Sequence, residues 1–313
     1  MYYLGFDIGG TKCAVSVGCV ENDNLRIVER QETPTLKNPY ETLSVFKDNV
    51  LEYIGKYSIT KAGISCGGPL DAEEGIILCP PNLPGWENFN IVKYIEEEFG
   101  INSRMENDAN ACAVAEWKFG AGMGTKNMIF FTFGTGLGAG LILNGRLYAG
   151  TNGNAGEFGH IRLSPRGPLG YNKKGSFEGF CSGGGITRLA INMAKAEKQM
   201  PACIKEMGGY EYVTTKALSK FAFEGDAFAK KVFDKSGKML GKGLSVAIDI
   251  LNPERIVLGG VFMRASELLI PSMQKEIKKE ALEFSCKVCE IVPAKLSENV
   301  GDMAAISVAM LEN

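Results

Sequence analysis

Residues 127–150 read NMIFFTFGTGLGAGLILNGRLYAG. An apolar run ends in Phe133-Gly134-Thr135-Gly136-Leu137-Gly138, and a second apolar run follows before the turn Asn144-Gly145. Short glycine-containing links between such runs predict antiparallel hairpins. Residues 2–19, YYLGFDIGGTKCAVSVGC, have the same arrangement. A strand over 2–8 leads through Asp7-Ile8-Gly9-Gly10-Thr11-Lys12 into a strand over 13–19. The recurrence of strand, Gly/Thr turn and strand predicts two related halves.

Each turn has the chemistry of an anion cradle. Glycine lets the backbone turn sharply and approach an anion closely. Backbone N–H groups and a Thr hydroxyl can then hold phosphate oxygens. Asp7, at a strand end, offers the oxygen ligand that Mg²⁺ prefers, directly or through a retained water. Leu258-Gly259-Gly260 forms a third element, suited to a nucleotide base. The spacing G-x-x-x-x-G-K-[ST] is absent, so neither turn is a Walker loop, and hairpins in place of crossovers exclude a dinucleotide fingerprint. For one turn alone, a tight hairpin without a ligand is an equal reading; two in matching places favour phosphate. Lys12 is as well placed to approach phosphate as to stand in solvent.

Outward from the turns, strands and helices alternate. A strand over 25–33 precedes a helix over 41–56, with Leu43, Phe46, Val50 and Ile54 on one face. A strand over 61–66 is broken by Gly-Gly-Pro. The segment 78–90, dense in Pro and Asn, is a loop. A helix over 91–99, a strand over 103–106 and a helix opening in NDANACAVAEW follow. Further on come a long helix over 226–251, the strand IVLGG, a helix near 264–283, a strand over 287–292 and a helix near 301–311. This mixture predicts an α/β architecture. A domain change near residue 118 divides the chain into a smaller part, 1–118 with 300–313, and a larger one, 119–299.

Bulk properties bound the function. The 313 residues are enough for about two domains. Hydrophobic residues make up 45% and charged residues 22%, an ordinary folded composition. A formal net charge of −2 with no basic stripe argues against a nucleic-acid partner. No basic segment with an apolar run opens the chain, and no stretch approaches ~18 apolar residues. Neither a secretory leader nor a membrane span is therefore expected. Nine cysteines, an odd number, fit reduced thiols in a cytoplasm. Cys13 and Cys66 read as small buried hydrophobes. Cys286-x-x-Cys289 reads as a lone pair on a strand, where alternate positions face opposite ways, with no further ligands for a metal.

The chain resembles the ROK family of sugar kinases and repressors, within the actin-like ATPases. The resemblance runs from Tyr3 to about Ala309. It is densest in FGTGLGAGLILNGRLYAGTNGNAGEFGH, residues 133–160, and continues to Glu178. It implies a two-domain, ribonuclease H-like α/β fold with a cleft between the domains. ATP and Mg²⁺ would bind at Asp7, Gly9, Gly10, Thr11, Lys12, Gly134, Thr135, Gly136, Gly259 and Gly260. Asp108, in Glu106-Asn107-Asp108-Ala109-Asn110, matches the family's catalytic aspartate. Asn82, Asn107, Glu157, His160 and Glu178 match its sugar ligands. The family's C-x-C-G-x-x-G-C-x-E segment reads LGYNKKGSFE here, with Leu169, Tyr171 and Ser176 at the three cysteine positions. A structural zinc needs those thiolates, so none is expected. His160, the chain's only histidine, is then left as a sugar ligand or loop anchor. Tyr171 and Phe177 are candidates to order the loop instead.

The implied reaction is phosphorylation of a hexose or N-acetylhexosamine by ATP, with the 6-hydroxyl as the leading acceptor. A sugar hydroxyl needs alignment with the γ-phosphate and a carboxylate to take its proton. Asp108 fills that role, or with Asn107 simply caps the following helix. Trp86 could stack on a sugar face, but it reads first as a buried anchor of its Pro-rich loop; Trp117 reads as helix core. The family's repressors carry an extra N-terminal DNA-binding segment. Here the first strand begins at once, which favours the kinase over a repressor; a sugar sensor without catalysis is the other alternative. A homodimer is implied by the resemblance alone.

Overall fold

A computed structural model describes residues 1–296 and 300–311. The chain forms two compact units. The first comprises Met1–Lys126, Gly140–Ala155 and Lys295–Asn313; the second comprises Asn127–Ala139 and Gly156–Ala294.

In the first unit, β1 (Tyr2–Ile8), β2 (Lys12–Glu21) and β3 (Asn24–Pro34) form an antiparallel meander. Helices α1 (Pro39–Ser44) and α2 (Lys47–Tyr57) lead to β4 (Lys61–Cys66), which pairs parallel with β1. The two-residue strands β5 (Leu70–Asp71), β6 (Ile76–Ile77) and β7 (Phe89–Asn90) make a small separate sheet. Helix α3 (Ile91–Phe99), β8 (Asn102–Asn107) and α4 (Asp108–Phe119) follow, and β8 pairs parallel with β4. The sheet order is β3-β2-β1-β4-β8. Leu4, Phe6 and Ile8 are at most 2% exposed and seat the sheet on a core with Leu43, Phe46, Ile95 and Trp86.

The helix expected over 41–56 is two. Leu43, Phe46 and Val50 are all buried, and Phe46 N–H donates to Leu43 O across a tighter i→i+3 turn. That turn separates α1 from α2 while keeping all three side chains in the core.

In the second unit, β9 (Met128–Phe133) leads to β10 (Leu137–Leu143) and β11 (Arg146–Leu147), where the chain passes through the first unit's Gly140–Ala155. A small hairpin, β12 (Leu169–Gly170) and β13 (Lys173–Lys174), precedes α5 (Phe177–Cys181) and α6 (Gly183–Lys195). Helices α7 (Ala202–Glu206), α8 (Thr215–Phe223) and the 25-residue α9 (Ala227–Leu251) follow. Then come β14 (Arg255–Leu258), α10 (Val261–Glu280), α11 (Glu283–Val288) and β15 (Glu290–Pro293). The second sheet runs β11-β10-β9-β14-β15, with β14 parallel to both β9 and β15.

The strand expected over 287–292 begins only at Glu290, and Cys286 lies in α11. Leu282 N–H donates to Asp249 Oδ1 at 2.9 Å, and Lys287 pairs with Glu283 one turn earlier at 2.7 Å. These contacts start and hold a helical turn where the alternating apolar pattern suggested a strand. Cys286 and Cys289 are free thiols.

The chain returns to the first unit with α12 (Val300–Val308). A methyl added at Gly63 of β4 would stand 2.0 Å from Ala305 O, so only glycine lets α12 approach the sheet this closely. Ala304 and Val308 of α12 meet Ala111 and Ala115 of α4 in a small core. Among the described residues, no helix is long and apolar enough to cross a membrane.

Candidate active site

The parallel strands of the first unit end in register: Ile8 lies opposite Cys66, and Cys66 opposite Asn107. Ligands of α/β sheets gather at the carboxyl ends of strands. Here those ends carry Gly9-Gly10-Thr11, Gly67-Gly68 and Asn107-Asp108. Gly9 N–H donates to Lys12 O at 3.1 Å to close the first turn. Thr35 braces it, donating from Oγ1 to Gly9 O at 2.5 Å and from N–H to Thr11 O at 3.0 Å. Asn82 lies against Gly10, where an added methyl would stand 2.5 Å from Asn82 O. Added methyls at Gly67 and Gly68 would lie 3.6 Å from Asn82 Nδ2 and 3.3 Å from Asn107 Nδ2. Asn82 and Asn107 thus converge on one glycine-lined corner. Gly67-Gly68, read in sequence only as a pattern breaker, are part of it.

Trp86 is fully buried and donates from Nε1 to Leu36 O at 2.9 Å, the loop anchor expected of it. Trp117 is half-buried in α4 and donates to Thr125 O at 2.8 Å. Exposed Lys12 pairs with Glu32 at 2.7 Å.

Asn107 is the N-cap of α4, its Oδ1 accepting from Ala109 N–H at 2.9 Å. Asp108 Oδ1 accepts from the same N–H at 2.8 Å. Among the described residues no other donor reaches Asp108. Asn107 and Asp108 thus share that N–H, and the second oxygen of Asp108 is left to act on something else. Solvent reaches the Asp108 side chain, yet burial raises its carboxyl above the usual range, against the opposing Ala109 N–H.

Asp7, one residue before the end of β1, lies in a crowded acidic setting. Burial, then Asp302, then Asp108 push its carboxyl up to about 6, against Arg30 and Lys12. Asp302 is buried; its Oδ2 takes Arg30 Nε at 2.8 Å, and its Oδ1 has no partner. Asp7 and the unsatisfied Asp302 oxygen are hard donors of the kind Mg²⁺ takes, but among the described residues no group of three or more carboxylates, histidines or cysteines is placed to hold a metal ion, so most of its ligands would have to come from phosphate and water. The metal-free protein should show the corresponding strain. A carboxyl raised in the folded state contributes stability that is full below the unfolded value near 3.8 and lost as pH rises through about 6. At pH 7.5 in chelator, Asp7→Asn should therefore unfold at a higher temperature than the parent, with a gain of up to roughly 2–3 kcal/mol. The difference should vanish near pH 4; equal melting at pH 7.5 would refute this account of Asp7.

Cys13, Cys66 and Cys112 lie near these carboxylates, and burial raises all three thiols. Such thiols are inert packing groups, as the apolar runs suggested for Cys13 and Cys66.

In the second unit, the turn Gly134-Thr135-Gly136 follows β9. Gly183 N–H donates to Gly134 O at 2.8 Å and Gly184 N–H to Thr135 O at 3.3 Å. Gly260, at φ +64°, closes on the turn's start; an added methyl would meet Phe133 O at 2.2 Å. Glu178 Oε2 accepts from Leu137 N–H at 3.1 Å. A methyl at Gly159 would lie 2.6 Å from Leu137 O and 3.5 Å from Glu178 Cβ. Glu178 thus packs on the short turn that carries Glu157 and His160. The His160 ring lies edge-on to Tyr171, with centroids 4.7 Å apart, and His160 O accepts from Lys173 Nζ at 2.7 Å. The stretch Ser182-Gly183-Gly184, which holds the Gly/Thr turn, was not singled out in the sequence. Its signal was the run Gly183-Gly184-Gly185, a few residues after Glu178.

No thiolate stands at Leu169, Tyr171 or Ser176. Leu169 opens β12, and Ser176 caps α5, accepting from Gly179 N–H at 3.1 Å and donating to Gly170 O at 3.3 Å. Of the two aromatic candidates, Phe177 orders the loop: it is fully buried and packs with Phe131 and Phe133. Tyr171 is 69% exposed.

Two mixed five-stranded sheets with these helices make the actin-like ATPase fold. A glucokinase from Streptomyces griseus, solved in complex with glucose and AMPPNP, matches at a TM-score of 0.76 and 28% identity, covering 99% of each chain. The ROK family model matches residues 3–311, and the chain belongs to the ROK family. A glucokinase of Thermotoga maritima is 30% identical over 308 residues, 97% of this chain and 96% of that protein. The DNA-binding transcriptional dual regulator NagC of Escherichia coli is 28% identical over 295 residues, 91% of this chain and 71% of that protein.

Proposed function

We propose that the protein is a sugar kinase that transfers the γ-phosphoryl group of ATP to a hexose or N-acetylhexosamine, at the 6-hydroxyl. The observation that carries this reading is the Asp108 carboxylate. It is accessible, raised by its surroundings, and keeps one oxygen free of the helix-end N–H that it shares with Asn107. Asp108 accepts the hydroxyl proton as the oxygen attacks phosphorus; a raised carboxyl is a better base near neutral pH. Asn82 and Asn107 orient the sugar from the first unit, and Glu157, His160 and Glu178 from the second. Gly9, Gly10, Thr11 and Lys12, with Gly134, Thr135 and Gly136, hold phosphate oxygens, and Gly259-Gly260 face the base. Asp7 would hold Mg²⁺, which neutralises charge on the phosphates when bound. The names of the Thermotoga and Streptomyces relatives, and the glucose and AMPPNP in the latter's structure, support the substrate classes.

The likeness to NagC supports a second reading, a sugar sensor without catalysis. ADP release measured with Mg²⁺ and ATP across glucose, mannose, fructose, allose, N-acetylglucosamine and N-acetylmannosamine separates the two. Turnover with one of these sugars is the expected result. Saturable sugar binding with no ADP release would replace the kinase with the sensor.

A further inference from the structure

Among the described residues, Arg188 of α6 is a cation without a counterion. Its Nε is buried with no hydrogen-bond partner, and among the described residues no ion pair includes it. Arginine stays charged at any physiological pH. A buried charged donor left unsatisfied opposes folding, so native proteins seldom keep one unless something else supplies the acceptor.

Its position indicates what that acceptor is. Arg188 lies one helical turn after Gly184 on α6, on the same face. A methyl added at Gly184 would stand 3.1 Å from Arg188 Nη1 and 3.5 Å from Nη2. The guanidinium therefore rests on the glycine whose N–H donates to Thr135 O. The first N–H groups of α6 are already committed: Gly183 to Gly134 O, Gly184 to Thr135 O and Gly185 to Ser182 Oγ. The positive group left over beside the Gly134-Thr135-Gly136 turn is the Arg188 side chain.

We infer that Arg188 is a nucleotide ligand whose guanidinium binds the phosphate chain of ATP next to Thr135. This rests on the nucleotide reading of that turn. A planar fork of N–H donors suits phosphate oxygens better than a single ammonium does.

The test is calorimetric binding of AMPPNP and AMP, with Mg²⁺, to the parent, Arg188→Ala and Arg188→Lys, beside the melting temperature of each ligand-free protein. Arg188→Ala should weaken AMPPNP about 10–100-fold, and Arg188→Lys should recover part of that loss. AMP should suffer a smaller loss than AMPPNP. The ligand-free variants should melt at or above the parent, since an unsatisfied buried donor has been removed. Unchanged AMPPNP affinity in Arg188→Ala, an equal loss for AMP, or a large fall in ligand-free melting temperature would each overturn the inference. A parent that binds no AMPPNP would overturn it together with the nucleotide reading. A parent that binds AMPPNP in an Arg188-dependent way but turns over no sugar would sustain it and defeat the kinase reading alone.

Discussion

Asp108→Asn should lower kcat by about 10²–10⁴-fold while leaving folding and sugar affinity close to the parent. Asparagine keeps the size of the side chain and an oxygen for Ala109 N–H, which Asp108 accepts at 2.8 Å. Asn107 continues to cap α4 through its own bond to that N–H. What disappears is the capacity to take a proton from the sugar hydroxyl. The loss therefore falls on kcat, with KM for the sugar little changed. The parent should also show an acidic limb in kcat, because only the ionised carboxylate serves as base. Burial raises the Asp108 carboxyl, so that limb lies at higher pH than an ordinary aspartate would give. It should be missing from the residual activity of Asp108→Asn. Near-parental turnover by a correctly folded Asp108→Asn, measured as ADP release, would remove Asp108 from the chemistry.

The first hairpin was legible because its signals are local. The alternation of Leu4, Phe6 and Ile8 and the glycines after Asp7 predict β1, the turn and β2 within a residue or two of their observed bounds. The long helix α9 was equally clear from its period. Errors fell where a distant partner decides a local conformation. Asp249 receives Leu282 N–H, and α11 runs to Val288, into the stretch KVCEIV that reads as a strand. The candidate site shows the same division. Residue types with obvious chemistry, Asp7 and Asp108 among them, stand out in the sequence. Their supports do not: Thr35 bracing the first turn is a bond across 26 residues, and Glu178 reaching Leu137 N–H spans 41. Arg188 was invisible for a related reason. Its meaning lies in a missing partner, which only coordinates can reveal.

The largest loss of stability from a single side chain should come from Glu116→Ala. Glu116 is fully buried near the end of α4. Its Oε1 accepts from Lys295 N–H at 2.9 Å and Leu296 N–H at 2.8 Å, and its Oε2 from Ala121 N–H at 2.7 Å. The carboxylate thus ties α4 to the segment just after the helix and to the point where the chain re-enters the first unit at Lys295. A methyl at Gly120 would stand 2.1 Å from Oε2, so the turn is fitted around the carboxylate. Alanine would remove the acceptor that these three backbone donors share. Leaving buried donors without a charged acceptor costs roughly 3–5 kcal/mol. Glu116→Gln should lose less, since one oxygen still accepts while its NH₂ faces N–H groups that it cannot satisfy. Urea or thermal unfolding of the two variants against the parent measures the ordering. Glu116→Ala within about 1 kcal/mol of the parent would mean that water replaces the carboxylate, and that the re-entry segment is held by packing.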